Sequence, residues 1–203
     1  MPVKKDQPQP SKGERTRSSV LAAAHKLFLS KGYNGTSMRA IADETGLALG
    51  GIYNHFANKE EIFEAIFIER HPFQEMAPAL QAAQGKTAEE LVRNAARQML
   101  HGVGHRHDVL HLMFIEWVEF EGRHAVKMRD QFYPQLLEFG QRLATLKGQL
   151  RPISVRVLIR VFIGLWFSYY MTETLMNKGS QTKQQHETFD DFIDIYLHGI
   201  LAK

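Results

Sequence analysis

Side chains that can donate hydrogen bonds to phosphate are frequent between residues 39 and 59, among them Arg39, Tyr53, Asn54, His55 and Lys59. Arginine and asparagine can also read base edges in the major groove of DNA. Residues 1–59 hold nine Lys/Arg and four Asp/Glu, a net charge of +5, whereas the remaining residues hold sixteen and eighteen, a net charge of −2. This asymmetry favours a polyanionic partner for the first part alone, although a chance imbalance of solvated charges would look the same.

Short helices must position these donors. A capping box at Ser11–Glu14 predicts the start of a first helix, and Gly32 predicts its end. The pair Thr36–Ser37 predicts the N-cap of a second helix, and Gly46 predicts a sharp turn into a third short helix that reaches Phe56. This spacing is that of a helix-turn-helix, whose second helix enters the major groove of DNA.

The rest of the chain also predicts helices. Asn58 is a candidate cap for a fourth helix, which Pro72 ends or kinks because proline lacks a backbone N–H. Strand signals are scarce beyond this point. The later predicted helices are Thr87 to His101, Asp108 to Phe120, Gly122 to Lys147, Pro152 to Asn177 and Glu187 to Leu201.

The segments TSMRAIA (36–42), GLALGGIYNHF (46–56) and NKEEI (58–62) together resemble the DNA-binding signature of the TetR family of bacterial transcriptional regulators. The resemblance implies an all-α fold, in which a three-helix helix-turn-helix domain precedes a larger helical ligand-binding and dimerisation domain. It places the first domain at residues 11–58, with helix 59–71 connecting it to residues 72–203. Residues 1–10 read as a flexible basic arm.

The resemblance also implies roles at matching positions. Thr36 would cap the second helix and contact phosphate, and Arg39 would reach a phosphate or a base. Tyr53 and His55 would grip the DNA backbone, and Lys59 would add a phosphate contact beside the positive end of the fourth helix.

One departure from the family concerns base reading. Ala48 and Leu49 stand where the family often has polar residues, so base reading would depend on Arg39 and Asn54, with Leu49 touching a thymine methyl. Gly50 would let the helix approach DNA closely. The full set expected at the DNA is Thr36, Ser37, Arg39, Leu49, Gly50, Tyr53, Asn54, His55 and Lys59.

In the family, the second domain holds a small effector between its helices, and apolar pockets bind apolar ligands. The candidate lining residues are Met99, Phe114, Trp117, Phe120, Phe132, Phe162, Trp166 and Tyr169. For any one of them, an ordinary filled core is the competing interpretation. Glu116, Glu119 or Arg123 could supply the polar contact that orients a ligand.

The last two helices pair with a second subunit in the family, and a palindromic site needs two recognition helices about one DNA turn, ~34 Å, apart. The expected interface residues are Gly164, where two helices could approach closely, and the rings Phe167, Tyr170, Phe189, Phe192 and Tyr196. Periodicity does not separate this interface from the subunit's own core.

Two other function classes remain to be compared. His101, His105, His107 and His111 lie close in sequence, with His124 further on, and a histidine-bound metal would favour a hydrolase. However, glycines interrupt this cluster and no nucleophile or phosphate-loop motif accompanies it, so we expect neither an enzyme nor a metal or other cofactor. A non-specific DNA-coating protein is the second alternative.

Composition indicates the cellular compartment of the protein. The chain has no cysteine, which excludes disulfides and thiolate chemistry and favours the reducing cytoplasm. Residues 1–10 lack an apolar run, so we expect no signal peptide. The most apolar segment, Val161–Met171, is too short to span a bilayer and predicts a buried helix rather than a membrane anchor. The expected partners are duplex DNA, an apolar effector and a second copy.

Overall fold

The computed structural model describes residues 11–103, 106, 108–146, 150–176 and 183–201; the basic arm expected at residues 1–10 lies outside them. The described residues are all-α, with one isolated bridge between Leu150 and Leu201, which confirms the expected fold class. Their helices are α1 Lys12–Lys31, α2 Met38–Thr45, α3 Leu49–Tyr53, α4 Lys59–Arg70, α5 Phe73–Ala82, α6 Ala88–Val103, α7 Asp108–Phe120, α8 Arg123–Thr145, α9 Val155–Met176 and α10 Lys183–Ile200.

The chain forms two compact units. The head unit comprises Met1–Arg70 together with His111–His124, and the body unit comprises His71–Leu110 together with Ala125–Lys203. These units differ from the division expected from sequence in two respects. Helix α4 groups with the head unit, from which the chain passes into the body unit, and most of α7 joins the head unit although it is distant in sequence.

The head unit is built around one face of α1. Ser11 and Glu14 form the expected capping box, with the Glu14 backbone N–H 3.2 Å from the Ser11 hydroxyl and the Ser11 N–H 2.6 Å from the Glu14 carboxylate. Gly32 ends the helix at φ 74°. The buried side chains recur at helical spacing on α1 and α4: Val20, Leu21, Ala24, Leu27 and Phe28 on α1, and Ile62, Phe63, Ile66 and Phe67 on α4.

Pro72 separates two helices. Helix α4 ends at Arg70 and α5 begins at Phe73, so the proline occupies the N-cap position of α5. Proline suits a helix start because its missing N–H has no intrahelical partner there. The sequence predicted the break at Pro72, but it did not predict α5 as a helix of its own.

The body unit is held by aromatic contacts and by ties between distant helices. Arg93 on α6 pairs with Asp194 on α10 at 2.5 Å, and the Tyr196 hydroxyl donates to the Leu158 carbonyl at 3.1 Å. The Arg142 guanidinium on α8 donates to the carbonyls of Leu80 and Gln81 at the end of α5. Because the last carbonyls of a helix lack intrahelical donors, this arginine completes α5.

Two body helices approach each other closely at Gly140. A Cβ atom added there would lie 2.6 Å from side-chain atoms of Val155 and Ile159, so α8 and α9 can pack only because this residue has no side chain. The expectation of a close approach at Gly164 is not met within the chain, because nothing lies within 4 Å of a Cβ added at that position.

Candidate functional site

Helix α2, the turn after it and α3 form the expected helix-turn-helix. Gly46 adopts a left-handed conformation with φ 68°, which residues with a side chain rarely adopt, and the Leu47 N–H donates to the Ala42 carbonyl at 3.1 Å. Helix α3 follows after Ala48, which supplies no side-chain cap. Ile41, Ala42, Ile52 and Phe56 are buried and hold the two short helices onto the head unit.

The outer face of this motif carries polar side chains that make no ion pair. Arg39 and Asn54 are exposed, and Tyr53 is 50% exposed. Within the described part of the chain, neither Arg39 nor Tyr53 has a side-chain partner. A guanidinium and a phenol presented to solvent on one short motif are suited to contacts with phosphate and bases.

The two glycines of α3 are not required by the protein's own packing. A Cβ atom added at Gly50 or Gly51 would have nothing within 4 Å. A glycine in a helix costs roughly 0.5–1 kcal/mol relative to alanine, so the sequence tolerates a cost here that the fold does not demand. At Gly50 the backbone of α3 is exposed without a side chain, and the neighbouring Leu49 is half-buried. A partner can therefore approach the backbone of α3 closely.

The expected role of Thr36 as the helix cap is wrong. Ser37 caps α2, because its hydroxyl accepts from the Ala40 N–H at 3.1 Å. Thr36 is only 2% exposed, and its hydroxyl donates to the Gly32 carbonyl at 2.9 Å. Its side chain therefore closes the loop between α1 and α2 and is not presented to solvent. The adjacent hydroxyls could not be assigned from sequence, since either residue type caps well.

Lys59 is bound within the head unit. Its ammonium donates to the carbonyls of Tyr33 at 2.7 Å and of Thr36 at 2.8 Å, and it lies 4.0 Å from the centre of the Tyr33 ring. Burial lowers the pKa of Lys59. The ammonium thus ties the start of α4 to the loop before α2, a role that the sequence did not indicate.

His55 lies between the motif and the first turn of α1. It is half-buried, and a Cβ atom added at Gly13 would lie 4.0 Å from its Cε1 atom. The neighbouring Lys12 is therefore a further candidate for phosphate contact, which only the overall charge of the head unit could have suggested.

On the other side of His55 is an acidic groove. It has a volume of about 300 Å³ and is lined by Arg17, His55, Phe56, Glu61, Glu64, Ala65, Ile68 and Glu69. The Arg17 guanidinium is paired with Glu69 at 2.8 Å and lies 5.2 Å from the centre of the Phe56 ring. The carboxylates would repel phosphate, so the surface suited to a polyanion is the α2–α3 face.

The residues expected to line a ligand pocket are divided between the two units. Phe114, Trp117 and Phe120 belong to the head unit, where Phe120 packs against Tyr33 and Phe63, with ring centres 4.8 Å apart in both pairs. The other five lie buried in the body unit: Met99, Phe132, Phe162, Trp166 and Tyr169. A ligand site lined by these residues stays a prediction, and periodicity does not show that α7 folds with the head unit.

The residues expected at a subunit interface also divide. Tyr170, Phe189 and Tyr196 are buried within the chain's own body unit, which is the core interpretation that the sequence left open. Gly164 is exposed, and Phe167 and Phe192 are half-buried. The exposed apolar side chains of α9 and α10 are instead Val157, Val161, Leu175 and Ile195.

The expectation that Val161–Met171 is buried holds only in part. Helix α9 presents one buried and one exposed face, and only a third of its most apolar window is buried. The segment Val155–Leu175, with a mean hydropathy of 1.2, is long and apolar enough to cross a membrane by length and composition alone. A partly buried helix of a folded domain meets the same criterion, so this is weak evidence for a membrane.

The polar residues considered for ligand orientation have partners in the head unit. Glu116 is paired with His124, Glu119 accepts a hydrogen bond from Asn34, and Arg123 is paired with Glu60. A role of these side chains in orienting a ligand stays a prediction.

The histidines give no metal site within the described residues. No group of three or more His, Asp or Glu side chains there is arranged to hold a metal ion. His111 is exposed and His124 is buried. The side chains of His101, His105 and His107 lie outside the described part of the chain.

Comparison with known proteins points in the same direction as this geometry. The family profile "Bacterial regulatory proteins, tetR family" matches residues 20–66, which span most of α1 through α4. A Bacillus subtilis protein described as the uncharacterized HTH-type transcriptional regulator YvkB is 21% identical over 92% of this chain and 98% of its own length. The HTH-type transcriptional repressor BepR of Brucella suis is 41% identical over 34% of this chain and 32% of its own length.

Solved structures share the fold. NalD of Pseudomonas aeruginosa, described as the secondary repressor of the MexAB-OprM multidrug efflux pump, aligns over 95% of this chain and all of its own, with a TM-score of 0.70 and 20% identity. A tetR-family regulatory protein from Rhodococcus RHA1 aligns over 96% of this chain and all of its own, with a TM-score of 0.71 and 17% identity.

A helix-turn-helix with an exposed donor face, within a segment that matches this profile, defines a DNA-binding transcriptional regulator. Residues 20–66 carry the DNA-binding domain of the TetR family of bacterial regulators, as the sequence motif indicated.

Proposed function

We propose that the protein is a repressor that binds a palindromic operator as a homodimer and is released by a small apolar effector. The observation that carries the proposal is the outer face of α2 and α3, where Arg39, Tyr53 and Asn54 surround the bare backbone of Gly50 and Gly51. The relatives BepR and NalD are described as repressors, which supports repression over activation.

On the DNA, α3 enters the major groove and presents Leu49 and Gly50 to the bases. Arg39 reaches a base or a phosphate, Asn54 a base edge, and Tyr53 and His55 the sugar-phosphate backbone. The first residues of α2, which Ser37 caps, present backbone N–H donors to a phosphate. With few polar side chains at the base edges, the shape and deformability of the operator supply part of the specificity.

The second copy binds through α9 and α10. These helices pack against each other within the chain, and their outer faces expose Val157, Val161 and Ile195, the last of which is 70% exposed. Exposed apolar side chains on adjoining helices favour association with another surface. The bare surface at Gly164 lets a second helix approach closely at the same face.

Release requires an effector that binds one conformation of the protein more tightly than the other. The affinity ratio between the two conformations sets the change in DNA binding, typically about 1–3 kcal/mol and more for a complete switch. The chain passes from α4 in the head unit directly to α5 in the body unit, so movement of α4 would move the helix-turn-helix.

The experiment compares binding of the protein to duplex DNA from upstream of its own gene and to a shuffled duplex of equal length, at fixed salt. A specific regulator is expected to prefer its own site by about 10³-fold or more. Equal affinity for both duplexes would overturn the proposal and favour a non-specific DNA-coating protein. Adding a hydrophobic extract of the host cells to the complex tests release, which should be lost when the extract is depleted of apolar compounds.

A further inference from the structure

One segment of the head unit enters from the body unit and returns to it. Residues 111–124 fold with the head unit, whereas the chain on both sides, up to Leu110 and from Ala125, belongs to the body unit. The part from Glu116 to His124, which ends α7 and starts α8, is called the α7–α8 corner below. Its turn is tight, because Glu121 and Gly122 have left-handed φ angles of 53° and 78° and the Gly122 N–H donates to the Glu116 carbonyl at 3.2 Å.

The side chains of Glu116 and His124 form a buried pair inside this corner. Glu116 is 0% exposed and His124 is 3% exposed. One Glu116 oxygen lies 2.7 Å from His124 Nδ1, and the other accepts from the His124 backbone N–H at 2.7 Å. The imidazole ring also packs against Phe120, with centres 4.7 Å apart. A buried carboxylate is costly unless both oxygens are bonded, so this pairing allows the corner essentially one arrangement.

The outer side of the corner holds the loop that precedes α2. The Asn34 side-chain amide donates to Glu119 at 2.7 Å, and the Tyr33 ring packs edge-on against Phe120 with centres 4.8 Å apart. The same loop is also bound by the Lys59 ammonium through the carbonyls of Tyr33 and Thr36. The loop between α1 and α2 is therefore held both by the corner and by the start of α4.

This loop determines the position of the start of α2, the first helix of the helix-turn-helix. It ends at Ser37, the N-cap of α2, and Arg39 follows two residues later. A displacement of Asn34 is therefore transmitted over a few residues of bonded backbone to the guanidinium that faces the DNA.

We propose that the α7–α8 corner is a positioning element for DNA binding, in which Glu119 holds Asn34 and thereby sets the loop and α2. The inference rests on the DNA-binding role of the α2–α3 face. It adds a second covalent path between body and head, through residues 110–111 and 124–125, beside the one through α4. Conformational changes in the body then reach the DNA-binding face through the corner as well as through α4.

Two variants of the exposed Glu119 test the proposal, because charge and positioning predict opposite results. Loss of a carboxylate close to a polyanion strengthens binding by electrostatics alone. Glu119→Gln removes the charge but keeps an acceptor for Asn34, so it should bind its upstream duplex at least as tightly as the parent. Glu119→Ala removes the acceptor too and should bind about fivefold more weakly than Glu119→Gln. Asn34→Ala should give a similar loss, and the double variant no further loss.

A second readout does not depend on DNA. Amide hydrogen exchange at residues 33–38 should accelerate in Glu119→Ala and stay at the parental rate in Glu119→Gln, with unchanged melting temperatures. Asp43→Ala, which removes an exposed carboxylate from α2, is the control for charge alone. Equal affinity and equal exchange in the two Glu119 variants would overturn the inference. If exchange at residues 33–38 is faster in Glu119→Ala but neither the parent nor the variants bind a duplex, the role of Glu119 in positioning the loop stands. The DNA-binding proposal is then overturned.

Discussion

At the scale of single residues, the head unit holds two kinds of polar side chain: those presented to solvent on α2 and α3, and those bonded to the backbone of a loop. Arg39, Tyr53 and Asn54 lie on the outer face, as the spacing of their buried neighbours indicated. Thr36 and Lys59 differ because their partners are backbone carbonyls of a loop, which leave no pattern in the sequence. The periodicity of apolar residues in a helix predicts which positions face solvent. Hydrogen bonds to the backbone of a loop cannot be predicted in this way, because they depend on how the loop folds.

Replacing Arg39 tests the direct contact. Arg39→Ala should weaken binding to the upstream duplex and reduce the slope of log affinity against log salt by about 0.9 if the guanidinium neutralises one phosphate. Binding measured by fluorescence anisotropy at several salt concentrations gives both quantities. Arg129→Ala is the matched control, because Arg129 is an exposed arginine of α8 paired only with its neighbour Asp130. An equal effect of both variants would contradict a specific role for Arg39.

Gly50 tests the close approach of α3 to the bases. Gly50→Ala should raise the free energy of unfolding by about 0.5–1 kcal/mol, since alanine is the better helix former and the site has open space. The same methyl group would separate the helix from the groove, so affinity for DNA should fall about tenfold, equivalent to ~1.4 kcal/mol. Chemical denaturation and anisotropy on the same sample measure the two effects. A variant that is more stable and binds equally well would remove the reason proposed for this glycine.

At the scale of elements, capping residues and glycines predicted most helix boundaries. The box at Ser11–Glu14, the C-cap at Gly32 and the turn at Gly46 are where the sequence placed them. The sequence did not predict α5 as a helix or the association of α7 with the head unit. Local signals specify where a helix starts and stops, but the partner of an amphipathic helix is decided by tertiary packing.

The link between α4 and the loop before α2 can be tested at Lys59. Lys59→Met keeps the length of the side chain but loses the hydrogen bonds to the carbonyls of Tyr33 and Thr36. It should therefore lower the free energy of unfolding by about 1–2 kcal/mol. Affinity for DNA should fall through displacement of the loop, while the salt slope stays near that of the parent.

Lys31→Met is the matched control for Lys59, because Lys31 is an exposed lysine at the end of α1. It removes the same charge but none of these carbonyl bonds, and its stability should remain within about 0.5 kcal/mol of the parent. If Lys59→Met were as stable as the parent and lowered the salt slope by about one, the phosphate contact implied by the family resemblance would be right instead.

At the scale of the whole molecule, the sequence predicted an all-helical regulator correctly but did not separate the rings of its core from those of a subunit interface. Tyr170, Phe189 and Tyr196 are amphipathic and periodic, which suits a subunit interface and an internal core equally well. Only the packed body unit shows that these rings are internal and that aliphatic side chains of α9 and α10 are external. An aromatic stripe alone therefore does not identify an interface between subunits.

The proposed dimer gives the last prediction. Val161→Asp and Ile195→Asp each place a charge on the exposed apolar faces of α9 and α10, where a second copy would bury it without a partner. Both variants should be monomeric by light scattering and should retain the parental helix content. Because a monomer engages only one half-site, operator affinity should fall about 10²-fold or more.

Val118→Asp is the control, since Val118 is 75% exposed on α7 in the head unit and its substitution should leave the dimer intact. Dimers that survive both α9 and α10 variants, or that are lost in Val118→Asp, would place the interface elsewhere on the chain.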